Sequence, residues 1–277
     1  MKEVVGIDLG GTNFKVGLVR DGLVVKQLHH LIQSKQSEET LLQDLYQLID
    51  QVKTNHTEAI GIGVPGIVDA DSGIIYDIQN IPSWKEVALK RLLEARYGVP
   101  VALNNDANCF ALGEKMYGEG RTFRDFVGLS IGTGIGMGII INHKLYSGML
   151  CGAGEIGMVP YKDGIIENYA SSFFFSEGYE KTAKEMSELA LRGESKAVEA
   201  YKEFGVHLGE AIKIIMYLYA PQAIVLGGSI SKAYPLFRKS MERSIGSFAY
   251  PMQRKKMEIR VTTTANLPIL GAAALCF

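Results

Sequence analysis

The chain's 277 residues suffice for two compact domains with a sizeable core. Its 29 Lys and Arg against 30 Asp and Glu create no overall field that would favour nucleic acid or an anionic membrane, so neither is expected as a partner. Hydrophobic residues at 47% and charged residues at 21% are ordinary for a globular protein, and the apolar runs are too short and interrupted to span a bilayer.

Apolar residues lead from the first positions into Gly6-Ile7-Asp8-Leu9-Gly10-Gly11-Thr12. This pattern reads as a strand running into a glycine turn whose backbone N–H groups can face an anion. Residues 14–19 form the return strand, Asp21-Gly22 a turn, and a third short strand follows. Leu41, Leu42, Leu45, Leu48, Ile49 and Val52 recur at helical period, predicting a helix over 38–53. A strand at 59–63 and a helix over 87–97, closed by Gly98 and Pro100, come next. The glycine turn then recurs as Gly128-Leu129-Ser130-Ile131-Gly132-Thr133-Gly134, with a strand at 137–141, a turn at Asn142-His143 and another short strand. Helices are predicted over 173–191 and 197–219, the second closing at Ala220-Pro221. Phe173-Phe174-Phe175 and Trp84 read as core, and the basic stretch 238–260 with Arg254-Lys255-Lys256 as a solvated face.

Internal repetition organises these elements. Val5 to Gly10 matches Val127 to Gly132 at constant offset, and Ala59-Ile60-Gly61-Ile62-Gly63 resembles Ala223-Ile224-Val225-Leu226-Gly227. Ala107-Asn108 with Leu112-Gly113 recurs as Ala265-Asn266 with Leu270-Gly271. Three matches in one order predict two halves of one plan: three antiparallel strands, then helices alternating with further strands. The fold class is α/β, with a mixed sheet in each half and a ligand cleft expected between them. Cys109, Cys151 and Cys276 are widely spaced, odd in number and free of any C-x-x-C pair, which argues against a disulfide framework and for a reducing cytoplasm. The first strand begins almost at Met1, which leaves no room for a signal peptide.

The ordered set Asp8-Leu9-Gly10-Gly11-Thr12, Gly63-Val64-Pro65-Gly66, Asn80-Ile81-Pro82-Ser83-Trp84, Asn104-Asn105-Asp106-Ala107-Asn108, Gly132-Thr133-Gly134-Ile135-Gly136-Met137-Gly138, Gly154-Glu155-Ile156-Gly157 and Gly227-Gly228-Ser229 resembles the ROK family, a sugar-kinase branch of the actin-like ATPases. That resemblance covers essentially the whole chain. It implies two ribonuclease H-like domains: residues 1–113 with 268–277, and residues 114–267. It further implies an ATP-dependent hexose kinase acting at O6, with Asp106 as general base. Such an assignment suits the chemistry, because an alcohol cannot ionise beforehand and must lose its proton as the bond to phosphorus forms. Asp106 also suits a turn or helix cap as a purely structural residue.

By the same resemblance the sugar is held by Asn80, Asn105, Asp106, Glu155 and Glu167. The nucleotide faces Gly10, Gly11, Thr12, Gly132, Thr133 and Gly134, with Gly227 and Gly228 on the adenosine side. Asp8 would organise Mg²⁺, through water. A homodimer paired through the second half is the family expectation.

One departure bears on specificity. Many relatives follow Gly-Glu-Ile-Gly with a sugar-contacting histidine and three cysteines that together bind structural zinc; here Met158 stands at the histidine position and 159–166 holds no cysteine. Zinc is therefore expected to be absent. Glucose is the default sugar, with fructose, mannose, an N-acetylhexosamine or a β-glucoside open, and the donor is open between ATP and polyphosphate. Two other functions fit the sequence less well: a sugar-sensing regulator, for which a helix-turn-helix is expected before the first strand, and an ATPase or chaperone of the wider superfamily, which would not need the Asn80, Asn105, Glu155 and Glu167 set.

Overall fold

Two residues in left-handed backbone, Asp21 at φ 51° and Gly22 at φ 77°, reverse the chain between the second and third strands. Such turns match the right-handed twist of the strands they join. Asn142 at φ 51° and His143 at φ 66° repeat the device in the second half. The structure, a computed structural model, describes residues 2–10, 13–32, 36–76, 78 and 81–277. Gly11, Thr12 and Asn80 lie outside the described residues.

In chain order the first elements are β1 (Glu3–Leu9), β2 (Asn13–Arg20), β3 (Leu23–Leu31), α1 (Glu38–Val52) and β4 (Thr57–Val64). There follow β5 (Ile67–Asp69), β6 (Ile74–Tyr76), β7 (Glu86–Val87), α2 (Leu89–Tyr97), β8 (Val101–Asn105) and α3 (Asp106–Tyr117). The main sheet runs β3-β2-β1-β4-β8, antiparallel through the first three strands and parallel thereafter. Central strand β4 is buried continuously from Ala59 to Val64, as a parallel strand covered on both faces must be. The six apolar residues predicted for α1 are all buried, and Ser37 caps it by accepting the Thr40 N–H at 3.2 Å. β3 spans nine residues rather than the short strand expected.

The second series is β9 (Phe126–Ile131), β10 (Ile135–Ile141), β11 (Lys144–Leu145), β12 (Pro160–Tyr161), β13 (Gly164–Ile165), α4 (Ile166–Ala170), α5 (Phe173–Tyr179), α6 (Ala183–Leu191) and α7 (Ser195–Tyr219). It continues through β14 (Ala223–Gly227), α8 (Tyr234–Ile245), α9 (Pro251–Lys256) and β15 (Glu258–Val261), and α10 (Leu267–Ala274) ends the chain. The order β11-β10-β9-β14-β15 repeats the first sheet's plan. The single helix expected over 173–191 is two. Glu180 turns left-handed at φ 53°, and Thr182 with Glu185 forms a capping box that starts α6 afresh.

Two compact units result: residues 1–122 with 138–153 and 263–277, and residues 123–137 with 154–262. In the first, α10 lies against β1, β4 and α3 at a distance that only glycine permits. A Cβ at Gly6 would stand 2.2 Å from the Ile269 carbonyl oxygen, and one at Gly61 1.9 Å from that of Ala272. The repeated Leu-Gly pair lies where α3 and α10 cross: a Cβ at Gly113 would meet the Leu267 carbonyl oxygen at 2.8 Å, one at Gly271 that of Cys109 at 1.8 Å. Trp84 is fully buried, its ring 6.3 Å from that of Phe14. Phe174 and Phe175 are core, as expected, whereas Phe173 is only half-buried. No helix among the described residues is long and apolar enough to cross a membrane.

Candidate active site

Parallel pairing sets the first unit's candidate residues level with one another. Asp8 pairs with Gly63, Gly63 with Asn104, and Val64 with Asn105, so the ends of β1, β4 and β8 form one edge. Adjacent strands lie about 4.8 Å apart, which puts the Asp8 and Asn104 backbones on the order of 10 Å from each other. Gly63, between them, lets α3 pack close against the strand: a Cβ there would press on Cys109 Sγ at 3.1 Å and approach Asp106 Cα at 3.5 Å. Burial, then the negative charges of Asp106 and Asp8, push the Cys109 thiol well up, so it stays a neutral neighbour.

Asp106 is the first residue of α3, and the cap is Asn105. Asn105 Oδ1 accepts the Ala107 N–H at 2.9 Å, and its Nδ2 donates to the Gly66 carbonyl at 3.2 Å. Asp106 Oδ1 also accepts the Ala107 N–H, at 2.8 Å. A carboxylate at a helix N-terminus is favoured by the helix dipole, and the Ala107 N–H orients this one. On β1, Asp8 is 13% exposed and pairs with Lys15 across the hairpin, Nζ to Oδ2 at 3.0 Å. Gly10 closes the turn beside it by donating its N–H to the Asn13 carbonyl at 2.9 Å.

In the second unit backbone groups close the glycine turn. The Gly132 N–H donates to the Gly134 carbonyl at 2.9 Å, and Ser172 donates its N–H to the Gly132 carbonyl and its hydroxyl to that of Thr133. Thr133 is exposed at the tip. Glu167 Oε2 accepts the Ile135 N–H at 3.0 Å and lies 2.3 Å from where a Gly134 Cβ would stand. Gly227 pairs with Ser130, and Gly228, at φ 82°, follows it; a Cβ on Gly228 would meet the Ile131 carbonyl oxygen at 2.2 Å. The structure thus brings Gly132, Thr133, Gly134 and Glu167 together and holds Gly227 and Gly228 at the end of the adjacent strand. Glu155 begins a one-turn 3₁₀ helix, Ile156–Met158, and reaches solvent. Surrounding protein first, and the Glu167 charge second, raise its carboxyl above the ordinary carboxylate value. Protein atoms therefore crowd this carboxylate without sealing it from water.

The ROK family profile matches residues 4–277. This chain belongs to the ROK family. A glucokinase of Thermotoga maritima is 29% identical, the match covering 99% of this chain and 96% of that protein. The xylose repressor of Bacillus subtilis is 30% identical over 98% of this chain and 76% of its own length. A ROK family glucokinase from Streptomyces griseus, solved with glucose and AMPPNP, superposes with a TM-score of 0.84 at 26% identity, covering 99% of this chain and 98% of that one.

Sequence reasoning did not single out three further polar features of this ROK protein. Lys15, the partner of Asp8, was legible in principle, since the hairpin register pairs the two positions. Ser172, which closes the second glycine turn, gave no local signal; Asn104 and Asn108 lie within the quoted motif, but the bond between their amides was not read from it. After the 3₁₀ turn, whose last residue Met158 is 57% exposed, residues 160–165 form the β12–β13 hairpin. His207 of α7 anchors it: Nδ1 is 3.0 Å from the Tyr161 hydroxyl, and the ring packs against Tyr161, Tyr169 and Phe174. Among the described residues no three His, Cys, Asp or Glu side chains converge as a metal-binding group.

Proposed function

We propose that this ROK protein transfers the γ-phosphoryl group of ATP to the O6 hydroxyl of a hexose, with Asp106 as general base. The observation that carries the reading is the placement of Asp106 at the N-terminus of α3, its carboxylate oriented by the Ala107 N–H, on the sheet edge that also bears Asp8. As O6 attacks phosphorus, the O6–H proton passes to the Asp106 carboxylate. The O6–P bond forms while the bond from phosphorus to the β–γ bridging oxygen breaks, and ADP departs with that oxygen. Asn80, Asn105, Glu155 and Glu167 bind the sugar hydroxyls, where carboxylates and amides discriminate sharply because a missing hydroxyl strands a polar group. Gly10 and Gly132 close the two turns with their own N–H groups, Gly11, Thr12, Thr133 and Gly134 present N–H and hydroxyl donors to the phosphates, and Gly227 and Gly228 let adenosine approach the backbone.

Mg²⁺ fits the donor set, since that ion takes one or two carboxylates and completes its shell with water and phosphate oxygens. Asp8 would hold it through water, and the ion would neutralise phosphate charge. Glucose leads the candidate sugars; with Met158 in place of a hydrogen-bonding side chain, recognition near the anomeric end differs from that of histidine-bearing relatives. A homodimer, the cytoplasm and the two domain ranges 1–113 with 268–277 and 114–267 belong to the same reading.

Coupled ADP release over a panel of hexoses, with ATP and polyphosphate as donors, tests this, with ³¹P NMR to place the phosphoryl group. Silence of a folded sample on every sugar would refute it. The likeness to the xylose repressor supports a second reading, a sugar-responsive regulator. That reading predicts saturable sugar binding with no ADP release, and binding that survives replacement of Asp106 by asparagine.

A further inference from the structure

Asn104 and Asn108 are both buried, the second at 0% exposure, and each spends its amide within the protein. Asn104 Oδ1 accepts two hydrogen bonds, from the Asn105 N–H at 2.9 Å and from Asn108 Nδ2 at 2.9 Å. Asn104 Nδ2 donates to Ser147 Oγ at 3.1 Å, and Asn108 Nδ2 donates also to the Cys151 carbonyl at 3.3 Å. These partners fix the direction of both amides. A backbone N–H must face the Asn104 oxygen, and the two oxygens around the Asn108 amide demand its nitrogen. Asn108 Oδ1 is buried and receives no hydrogen bond among the described residues. Leucine would fill similar space without the orphaned Oδ1 but would take the donor from the Cys151 carbonyl, so what the amide contributes is the pair of bonds from its nitrogen.

Both ends of those bonds matter. One end is the first turn of α3, which carries Asp106. The other is the loop at 147–151, where Gly148, Leu150 and Cys151 have φ of 67°, 52° and 56°. Left-handed backbone at two successive non-glycine residues persists only where the surroundings over-determine it. Here the Ala153 N–H to the Ser147 carbonyl, at 2.9 Å, and the two asparagines do so. The cap residue of the same helix is held in turn by the Asn105 bond to Gly66.

We propose that Asn104 and Asn108 are positioning residues for phosphoryl transfer, a two-amide tether that fixes the first turn of α3, and with it the Asp106 carboxylate, to the left-handed loop at 147–151. The inference rests on Asp106 being the general base. Neither asparagine touches substrate in this scheme; the tether sets where the carboxylate stands, and a misplacement of about 1 Å costs on the order of 100-fold in rate.

Four variants test it: Asn108→Ala, Asn104→Ala, the double variant, and Ser147→Ala, which removes one bond at a half-buried site and is the gentler change should the asparagine variants fail to fold. Phe110→Leu, a buried change on the same helix outside the tether, is the control for lost stability. The expected result is kcat lowered about 10- to 100-fold in Asn108→Ala with sugar KM within about 3-fold of the parent, about 3-fold in Ser147→Ala, and no further loss in the double variant, because groups that act as one unit are not additive. Phe110→Leu should lower the melting temperature and leave kcat alone. Parental kcat in folded Asn108→Ala or Ser147→Ala, or an equal kcat loss in Phe110→Leu at matched stability, would overturn the tether. Asp106→Asn is run alongside: if it is dead while Asn108→Ala is fully active, only the tether fails, and if it keeps parental activity, the general-base reading falls with it.

Discussion

The two units repeat one sheet plan and put different chemistry at the same place in it. Where β1 gives way to its glycine turn, the first unit presents side chains: Asp8 paired with Lys15, and Asp106 at the start of α3. Where β9 does so, the position matching Asp8 is Ser130, and the second unit presents backbone, with one oxygen of the Glu167 carboxylate, Oε2, accepting the Ile135 N–H. A duplicated fold thus supplies two equivalent edges, and what each can do depends on whether polar side chains or glycines occupy them. Under the proposed function the first would move the proton, and the glycine turns of both would face the phosphates.

The largest expected effect strikes the side-chain edge. Asp106→Asn keeps shape and helix start but removes the base, so kcat should fall about 10²- to 10⁴-fold with the melting temperature nearly unchanged. A loss under 10-fold would break the contrast between the edges. Next comes Glu167, which the backbone edge needs as an acceptor. Glu167→Ala strands the Ile135 N–H and should raise nucleotide KM roughly 10-fold, the worth of one hydrogen bond to a charged group. Glu167→Gln keeps an acceptor and should restore nucleotide KM while sugar KM stays high; equal nucleotide KM in all three proteins would show that the carboxylate does not shape the turn.

A pH series sharpens the same point. The Glu155 carboxyl is raised by burial and by Glu167, so on acidification it gains its proton before an ordinary carboxylate would, and sugar affinity should fall through that raised pKa. Glu167→Gln removes one raising charge, so the acid limb of sugar binding, followed by titration calorimetry, should move to lower pH. Movement the other way would exclude coupling between the two carboxylates. The smallest effect concerns the hairpin. Burial, then the Lys162 ammonium, lower the His207 pKa, so the folded protein keeps this ring neutral. The stability this supplies is present above the ordinary histidine value and is lost as pH falls through the lowered one. The melting temperature of the parent should therefore drop more between pH 7 and 5 (about two units spanning the usual histidine pKa) than that of His207→Gln. Emission spectrometry should meanwhile find no stoichiometric zinc.

The two hairpin turns were legible because they depend on local chemistry, residues that tolerate left-handed backbone between apolar strands, and the repeat because its residues recur at constant offset. The break between α5 and α6 was legible too, in Thr182 and Glu185, but the apolar run on both sides hid it. The bond from Glu167 to Ile135 and the tether from Asn108 to Cys151 were not legible. They join residues 32 and 43 positions apart, and no periodicity records such meetings. The glycines at the α3–α10 crossing lay between these cases: the Leu-Gly repeat was visible, but that its two copies face each other required the fold.

That crossing also sets an order of events. The face formed by Gly6, Gly61 and Cys109 is complete early in synthesis, yet α10, which covers it, leaves the ribosome only after the whole second unit. At about 5–20 residues per second the nascent protein carries an uncovered apolar surface for on the order of ten seconds. Chaperone dependence and inclusion-body formation during expression should accordingly respond to the rate of elongation more than to the stability of the finished molecule.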